Sequence, residues 1–394
     1  MKTNEKISPP EEKLSILEWL KQNLFSSYTN TALTIVTTIL IYLILKEVLC
    51  WIFITADWSV IIVNFKILMA GQYPGEELWR VWLAICFLSL TLGISWGTWR
   101  GVAAHIAIAF IVIYVVVAFM PFLSINSKVW LVINILLVVV SSLAASKFEF
   151  IRKYALMSWI LVFPFTIFLL AGFGILPTVP TNLWSGFLLT ILLAVVAIVV
   201  SFPISILLAV GRNSDLLIIK YFCTFYIEVI RGVPLITILF ITQLMLPIFL
   251  GGTIEVDSVV RAMIGLTLFN AAYLAENIRG GLQSIPRGQY EAARALGLSS
   301  TVMMVFVIMP QALRVVIPAM VGQSISIFKD TSLVVIVGLI DLLGMGRVII
   351  SNPEFLGKNM EVFTFVALVF LIFCNMMAYA SRKLEAAMGL GKRY

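Results

Sequence analysis

Ten stretches of this chain are apolar over the length, some 20 residues, that a helix needs to cross a hydrocarbon layer roughly 30 Å thick. They run over 31–53, 80–98, 101–120, 129–146, 154–174, 183–210, 233–250, 259–278, 317–340 and 361–381. The charge content agrees: 12% of the 394 residues are charged and 61% hydrophobic, against about 25% and 45–50% in an ordinary soluble domain. So few charges cannot cover a water-soluble surface of this size. The expected fold is therefore all-α and integral to the membrane, with about ten transmembrane helices. Cys50, Cys86, Cys223 and Cys374 are far apart and form no C-x-x-C pair, so no metal or redox site is expected. The first 30 residues hold eight charges and no early apolar core, so no cleaved leader is expected.

An even number of spans puts both termini on one side, and the basic residues choose which. Nineteen of the 27 lysines and arginines fall on the side of the N-terminus, seven on the other, and Lys329 within a span. Cations gather in short cytoplasmic loops, so both termini are expected in the cytoplasm. Dispersed between apolar runs, these cations do not form a nucleic-acid surface. Residues 8–24 read as an amphipathic helix along the inner membrane surface: Ser8 and Glu11 have capping-box spacing, and Leu14, Leu17, Leu20 and Leu24 recur on one face. The apolar run 58–70 is too short to span and reads as an outer interfacial helix.

The stretch from 279 to 317 is unlike the rest. Ser284 is expected to cap a helix opening near Pro286, and Gly297 to close it. Ala292, Ala293 and Ala295 keep one surface low, with Glu291 and Arg294 as a charged rim. Such a helix is shaped to enter a groove; alanine and charge anchor poorly in lipid.

Glu291-Ala292-Ala293, three residues, Gly297, then Val307, Met309 and Pro310 resemble the EAA signature of ABC-importer permease subunits. Val307 and Met309 depart conservatively from its isoleucine and leucine. The segments 226–240, 271–297 and 328–343 resemble the polar amino-acid permeases, the histidine/glutamate/glutamine type. The layout is similar to the larger permease subunit of general L-amino-acid ABC transporters. The resemblance implies four regions: an N-terminal cytoplasmic segment 1–30, a five-helix extension 31–182, a five-helix type I ABC importer transmembrane domain 183–388 with its EAA coupling loop at 284–310, and a cytoplasmic tail 389–394. It implies that Glu291, Ala292, Ala293 and Gly297 couple the spans to a cytoplasmic ABC ATPase dimer. Further implied partners are a second permease subunit (a distinct homologous chain), a periplasmic or extracellular amino-acid-binding protein and membrane lipid, in a bacterial plasma membrane. No G-x-x-x-x-G-K-[ST] loop occurs, so this chain is expected to be non-catalytic and without cofactor, with ATP and Mg on the ATPase.

Polar groups inside spans default to functional hypotheses. Gln243, Asn270, Ser324, Lys329 and Asp330 are candidates for a substrate path; the first three have an alternative reading as interhelical hydrogen-bond partners, and Lys329 with Asp330 as a local polar network at a subunit interface or a helix break. Lys329 and Asp330 are expected near the middle of the ninth span, where consecutive helical residues cannot both face one ligand. Glu228 with Arg231 and Glu276 with Arg279 have i,i+3 spacing and read as ion pairs at an inner gate. The rival to an importer permease is a stand-alone ion- or proton-coupled carrier, which has no use for a groove-entering loop.

Overall fold

The computed structural model describes residues 15–251 and 255–388. The tail 389–394 and the Ser8–Glu11 capping pair lie outside the described residues. The protein divides into two compact units, residues 1–58 and 59–394.

In the first unit, α1 (Ile16–Asn23) starts where the Glu18 carboxylate accepts the Ser15 N–H (3.0 Å). The capping box in the described residues is therefore Ser15–Glu18. α2 (Tyr28–Cys50) continues through a π-helical turn, Trp51–Thr55, into a 28-residue apolar helix. Thr34 donates to the Leu24 carbonyl (2.9 Å), which fixes the elbow between α1 and α2.

The second unit is all-α, apart from two isolated bridges among the described residues. α3 (Ser59–Ala70) is followed by α4 (Leu78–Trp99), α5 (Gly101–Ala118), α6 (Ile125–Lys147), the short α7 (Glu149–Lys153) and α8 (Ala155–Ala171). α9 (Gly186–Arg212), α10 (Leu217–Gly232), α11 (Leu235–Phe240), α12 (Leu246–Phe249) and α13 (Ser258–Ser284) come next. α14 (Arg287–Ala295), α15 (Ser300–Met303), α16 (Met309–Asp330), α17 (Leu342–Ile350) and α18 (Asn359–Ala387) complete the chain. Among the described residues eight helices are long and apolar enough to span; the bent pair of α10 with the segment through α12 makes a ninth. α8, at 17 residues, meets the remaining expected span. Each of the ten expected spans thus finds a helix.

The two-part span has a local cause. Pro234 has no N–H to extend α10, and Gly232 precedes it, so the chain turns through 109° before α11. α10 buries Cys223 and Ile227 and leaves Ile218, Phe222 and Phe225 exposed, a half-apolar pattern that span counting passes over.

α3 differs from a helix resting on the membrane surface. It buries Val60, Ile61, Asn64, Leu68 and Ala70 and packs on α9, α17 and α18. The turn after it demands glycine: Gly71 has φ +59°, and a Cβ there would lie 2.0 Å from Ser185 Oγ. That hydroxyl accepts the Gln72 N–H (2.9 Å), while Gly186 N–H donates to the Ile340 carbonyl (2.9 Å). Leu342 N–H donates to Thr190 Oγ1 (3.1 Å). Fully buried Arg80 holds the α8–α9 connection through Pro177 O (2.7 Å) and pairs with Glu77 (2.8 Å). The extension and the C-terminal helices therefore share one seam at the start of α9.

Candidate functional site

The helix flagged by its alanines projects from the opposite end of the molecule to that seam, beyond the C-terminus of α13. α14 begins after Pro286, whose fixed φ suits a helix start. Ser284 does not cap it: its hydroxyl donates back to Gly281 O (2.7 Å) within α13, because Ser284 is still the last residue of that helix. At the other end the expectation for Gly297 is met in detail. With φ +75°, its N–H donates to Arg294 O (2.9 Å), and Leu298 N–H donates to Ala293 O (3.2 Å). These two bonds are a Schellman closure.

Burial splits α14 lengthwise. Ala293, 3% exposed, packs with Ile285, Met303 and Ile308, with Tyr290 and Leu298 at the margin. Gln311 on α16 donates to Gln289 Oε1 (3.2 Å), fixing the helix from a second side. Glu291, Ala292, Arg294, Ala295 and Gly297 are exposed. Leu296, between them and the turn, is 78% exposed. Ala292, Ala295 and Leu296 share a face by i,i+3 and i,i+4 spacing, so the surface is a low floor with one aliphatic knob. Ala293 is part of the anchor and the other three motif residues are on the free side. Leu296 was not singled out by sequence; its signal is a large apolar residue immediately before a helix-closing glycine.

Two turns back along α13 lies a charged cluster. Glu276 takes Arg279 on its own helix (Nε to Oε1 3.0 Å), Arg212 from the end of α9 (3.2 Å) and Arg231 from α10 (3.5 Å). Arg212 also holds Glu228 (2.7 Å). The Glu276–Arg279 pair follows its spacing, but Glu228 and Arg231 take partners on other helices. Arg212, which the spacing argument did not include, joins three helices. The Arg231 guanidinium lies 5.7 Å from the Tyr273 ring centre, in cation–π range. These side chains are partly exposed, between 20% and 56%.

The candidate path residues do not converge. Asn270 is fully buried between α13 and α9, where its Nδ2 donates to Ser201 Oγ (2.7 Å) and its Oδ1 has no partner. Ser324 lines an open recess of about 290 Å³ with Ile198, Phe202, Leu274 and Met320, and its hydroxyl donates to Met320 O. Gln243 sits in a π-helical turn, Ile241–Met245, with a buried Oε1 that has no partner; its carbonyl accepts from Arg261. Lys329 and Asp330 end α16, where the chain tightens into the 3₁₀ segment Thr331–Val337, rather than occupying mid-helix. Lys329 is exposed and Asp330 half-buried. Beyond them, fully buried Asp341 caps α17 by accepting Gly344 N–H (2.9 Å) and Leu343 N–H (3.2 Å). Burial pushes its carboxyl up from the ordinary range, and these amides oppose the shift. No group of three metal-ligating side chains occurs among the described residues.

Comparison with known proteins identifies the family. Residues 201–388 match the family described as binding-protein-dependent transport system inner membrane component. The inner membrane amino-acid ABC transporter permease protein YhdY of Escherichia coli (strain K12) is 34% identical over 95% of this chain and 93% of its own length. The glutamate/glutamine/aspartate/asparagine transport system permease protein BztC of Rhodobacter capsulatus is 34% identical over 95% and 94%. The probable glutamine ABC transporter permease protein GlnP of Bacillus subtilis (strain 168) is 36% identical, covering 52% of this chain and 92% of that protein. The chain belongs to the ABC-importer permease family, in its polar amino-acid branch, and is a multi-pass inner membrane protein.

Proposed function

We propose that this permease is the larger membrane subunit of an ATP-driven importer that brings amino acids into the cytoplasm by alternating access. The observation that carries the reading is the two-sided α14: Ala293 and Tyr290 fasten it to the body of the protein, while Glu291, Ala292, Ala295 and Leu296 face outward. A helix held on one side and open on the other transmits force only if a second body seats on the open side. The partner is a cytoplasmic ABC ATPase dimer, carrying ATP and Mg. In this reading the α14 end and both termini face the cytoplasm, which the bias of the cations toward that side supports.

In this scheme 183–388 is the transport domain and 31–182 an extension. A second, homologous permease completes the pathway, and a binding protein delivers substrate to the far end. Closure of the ATPase dimer moves α14 and the end of α13. The Arg212, Glu228, Arg231, Glu276 and Arg279 cluster then rearranges as the inner gate. Ser324, at the recess between α9, α13 and α16, is the path candidate with access to open space, followed by Lys329 and Asp330. Asn270 and Gln243 would have to be uncovered by the same motion. Relatives named for glutamate, glutamine, aspartate and asparagine transport support small polar amino acids as substrates.

The test is to purify the chain in mild detergent from its native host and weigh the complex. An ATPase dimer and a second permease in the particle are expected, and Leu296→Asp should release the ATPase while the second permease stays bound. A lone chain that transports in proteoliposomes without ATP would replace this reading with that of a stand-alone carrier.

A further inference from the structure

A second open hollow lies in the extension, away from the transport domain. α4, α7 and α8 border a groove of about 350 Å³ lined by Phe87, Ile94, Phe150, Tyr154, Met157 and Leu161, among others. Its walls are aliphatic and aromatic. It starts at the connection running from the end of α6 to α8, where Lys147, Arg152 and Lys153 fall within seven residues and Glu149 is the sole acid. Arg152 is already engaged: its Nε donates to Ala145 O (2.7 Å), and the guanidinium also reaches the Ser146 carbonyl, closing the end of α6. Lys147 and Lys153 are exposed and form no ion pair among the described residues. From Tyr154 to Leu161 the groove wall descends seven residues along α8, about 10 Å, from the charged rim into the hydrocarbon layer.

We propose that this groove is a binding site for one anionic phospholipid. Its phosphate sits against Lys147 and Lys153, and one acyl chain lies along Ile94, Tyr154 and Met157. The two parts of the site call for the two parts of such a lipid. A neutral apolar occupant leaves two ammonium groups unanswered, and a soluble anion leaves the apolar wall bare. A transmembrane helix laid along the wall would offer it apolar side chains but carries no phosphate for the two lysines. Juxtamembrane lysines attract anionic headgroups in just this setting. The inference needs only that α4 and α8 lie in a bilayer, so it stands apart from the transport reading.

The full chain, delipidated in detergent, is titrated with dioleoylphosphatidylglycerol or dioleoylphosphatidylethanolamine, and retained lipid is counted by native mass spectrometry. One phosphatidylglycerol per chain should be held at least tenfold more strongly than phosphatidylethanolamine. Lys147→Gln with Lys153→Gln, both at exposed positions, should erase that preference. Met157→Trp, which fills the groove, should lower retention of both lipids. Equal retention of the two lipids by the unaltered chain overturns the proposal, as does a phosphatidylglycerol preference that survives both variants. Displacement by millimolar inorganic phosphate would also overturn it, since a site built for a chain and a headgroup together is not emptied by the headgroup's charge alone.

Discussion

Gly297 offers a perturbation in which stability and coupling can be separated. Its φ of +75° is one that L side chains rarely adopt, yet a Cβ built there meets nothing within 4 Å. Any substitution is therefore penalised through the backbone alone, by about 1 kcal/mol for most side chains and less for asparagine, which tolerates the left-handed region. Side-chain size does not enter that cost. Gly297→Ala and Gly297→Arg should lose nearly the same stability, a melting shift of about 2–4 °C or less for a chain of this size. Function should order differently. Alanine leaves the α14 surface open, whereas arginine places a long cation beside Leu296 on the free face. In proteoliposomes with the ATPase, the second permease and the binding protein, Gly297→Asn should couple almost normally and Gly297→Ala slightly worse. Gly297→Arg should hydrolyse ATP without substrate-dependent stimulation and take up less than a tenth of the amino acid. Two results would refute the reasoning: normal stimulation and uptake in the arginine variant, or an asparagine variant as defective as arginine. The second would mean that the turn itself, and not the surface around it, carries the effect.

Other consequences are simpler to state. Gly71→Val forces a side chain against Ser185 Oγ, 2.0 Å from the Cβ, at φ +59°; it should cost more than about 3 kcal/mol, seen as lost yield and a lower melting temperature. Arg212→Gln removes the contacts to both Glu228 and Glu276 but leaves Arg231 and Arg279 on Glu276. It should change stability by less than about 1 kcal/mol, because these pairs are partly solvated, while raising basal ATP hydrolysis; an unchanged basal rate would remove the cluster from the gate. Burial raises the Asp341 carboxyl above its unfolded value of about 3.9, so the fold favours the protonated form. The stability this group contributes is complete below about pH 3.9 and is lost as pH rises through the raised folded value. Asp341→Asn keeps an acceptor for Leu343 and Gly344, and melts taken in steps from about pH 4 to 8 should show a flatter dependence than the parent.

The spans were legible because twenty apolar residues in a row have few other places to go, and the closing glycine because a Schellman turn has a residue-level signature. What stayed hidden depended on the third dimension. The i,i+3 spacing says that Glu228 and Arg231 can meet on α10, not that they will. Arg212, sixteen residues earlier and on another helix, competes for Glu228, while Glu276 draws Arg231 away. α10 escaped the span count because its polar side faces α9 and α13, which lowers its mean hydropathy although Ile218, Phe222 and Phe225 remain exposed. Lys329 and Asp330 were expected at mid-helix because the apolar pattern runs through them into Val337. The change to 3₁₀ geometry after Asp330 leaves that pattern intact, so the polar pair itself, with its alternative reading as a helix break, was its one sign in the sequence. Leu296 was readable as apolar, but only the burial of Ala293 decides which side of α14 it takes.

The two ends of α9 are held by different physics, and this bears on which end moves. At its start, Ser185, Gly186 and Thr190 are buried and joined to the 71–72 turn and to 340–342 by hydrogen bonds. Backbones there approach so closely that glycine is required at 71 and 186. Opening that seam would strand buried donors and acceptors, each at about 1–3 kcal/mol, and would uncover the apolar side of α3. At its other end Arg212 is held by two partly exposed ion pairs, each worth about 0–1 kcal/mol, and water can replace the partner when either breaks. A load applied through α14 reaches Glu276 and Arg279 by way of the end of α13, before it reaches anything at the seam. The lower-cost response is for the Arg212 end to part while the seam stays closed. On this argument the extension anchors the far end of α9, so that movement of α14 would be spent at the Arg212 end. Backbone amides of 72, 186 and 342 should then keep the same hydrogen-exchange protection in nucleotide-free and ATP-trapped complexes, while those of 276–298 change. Loss of protection at the seam on trapping would show that the far end moves as well and that the anchor does not exist.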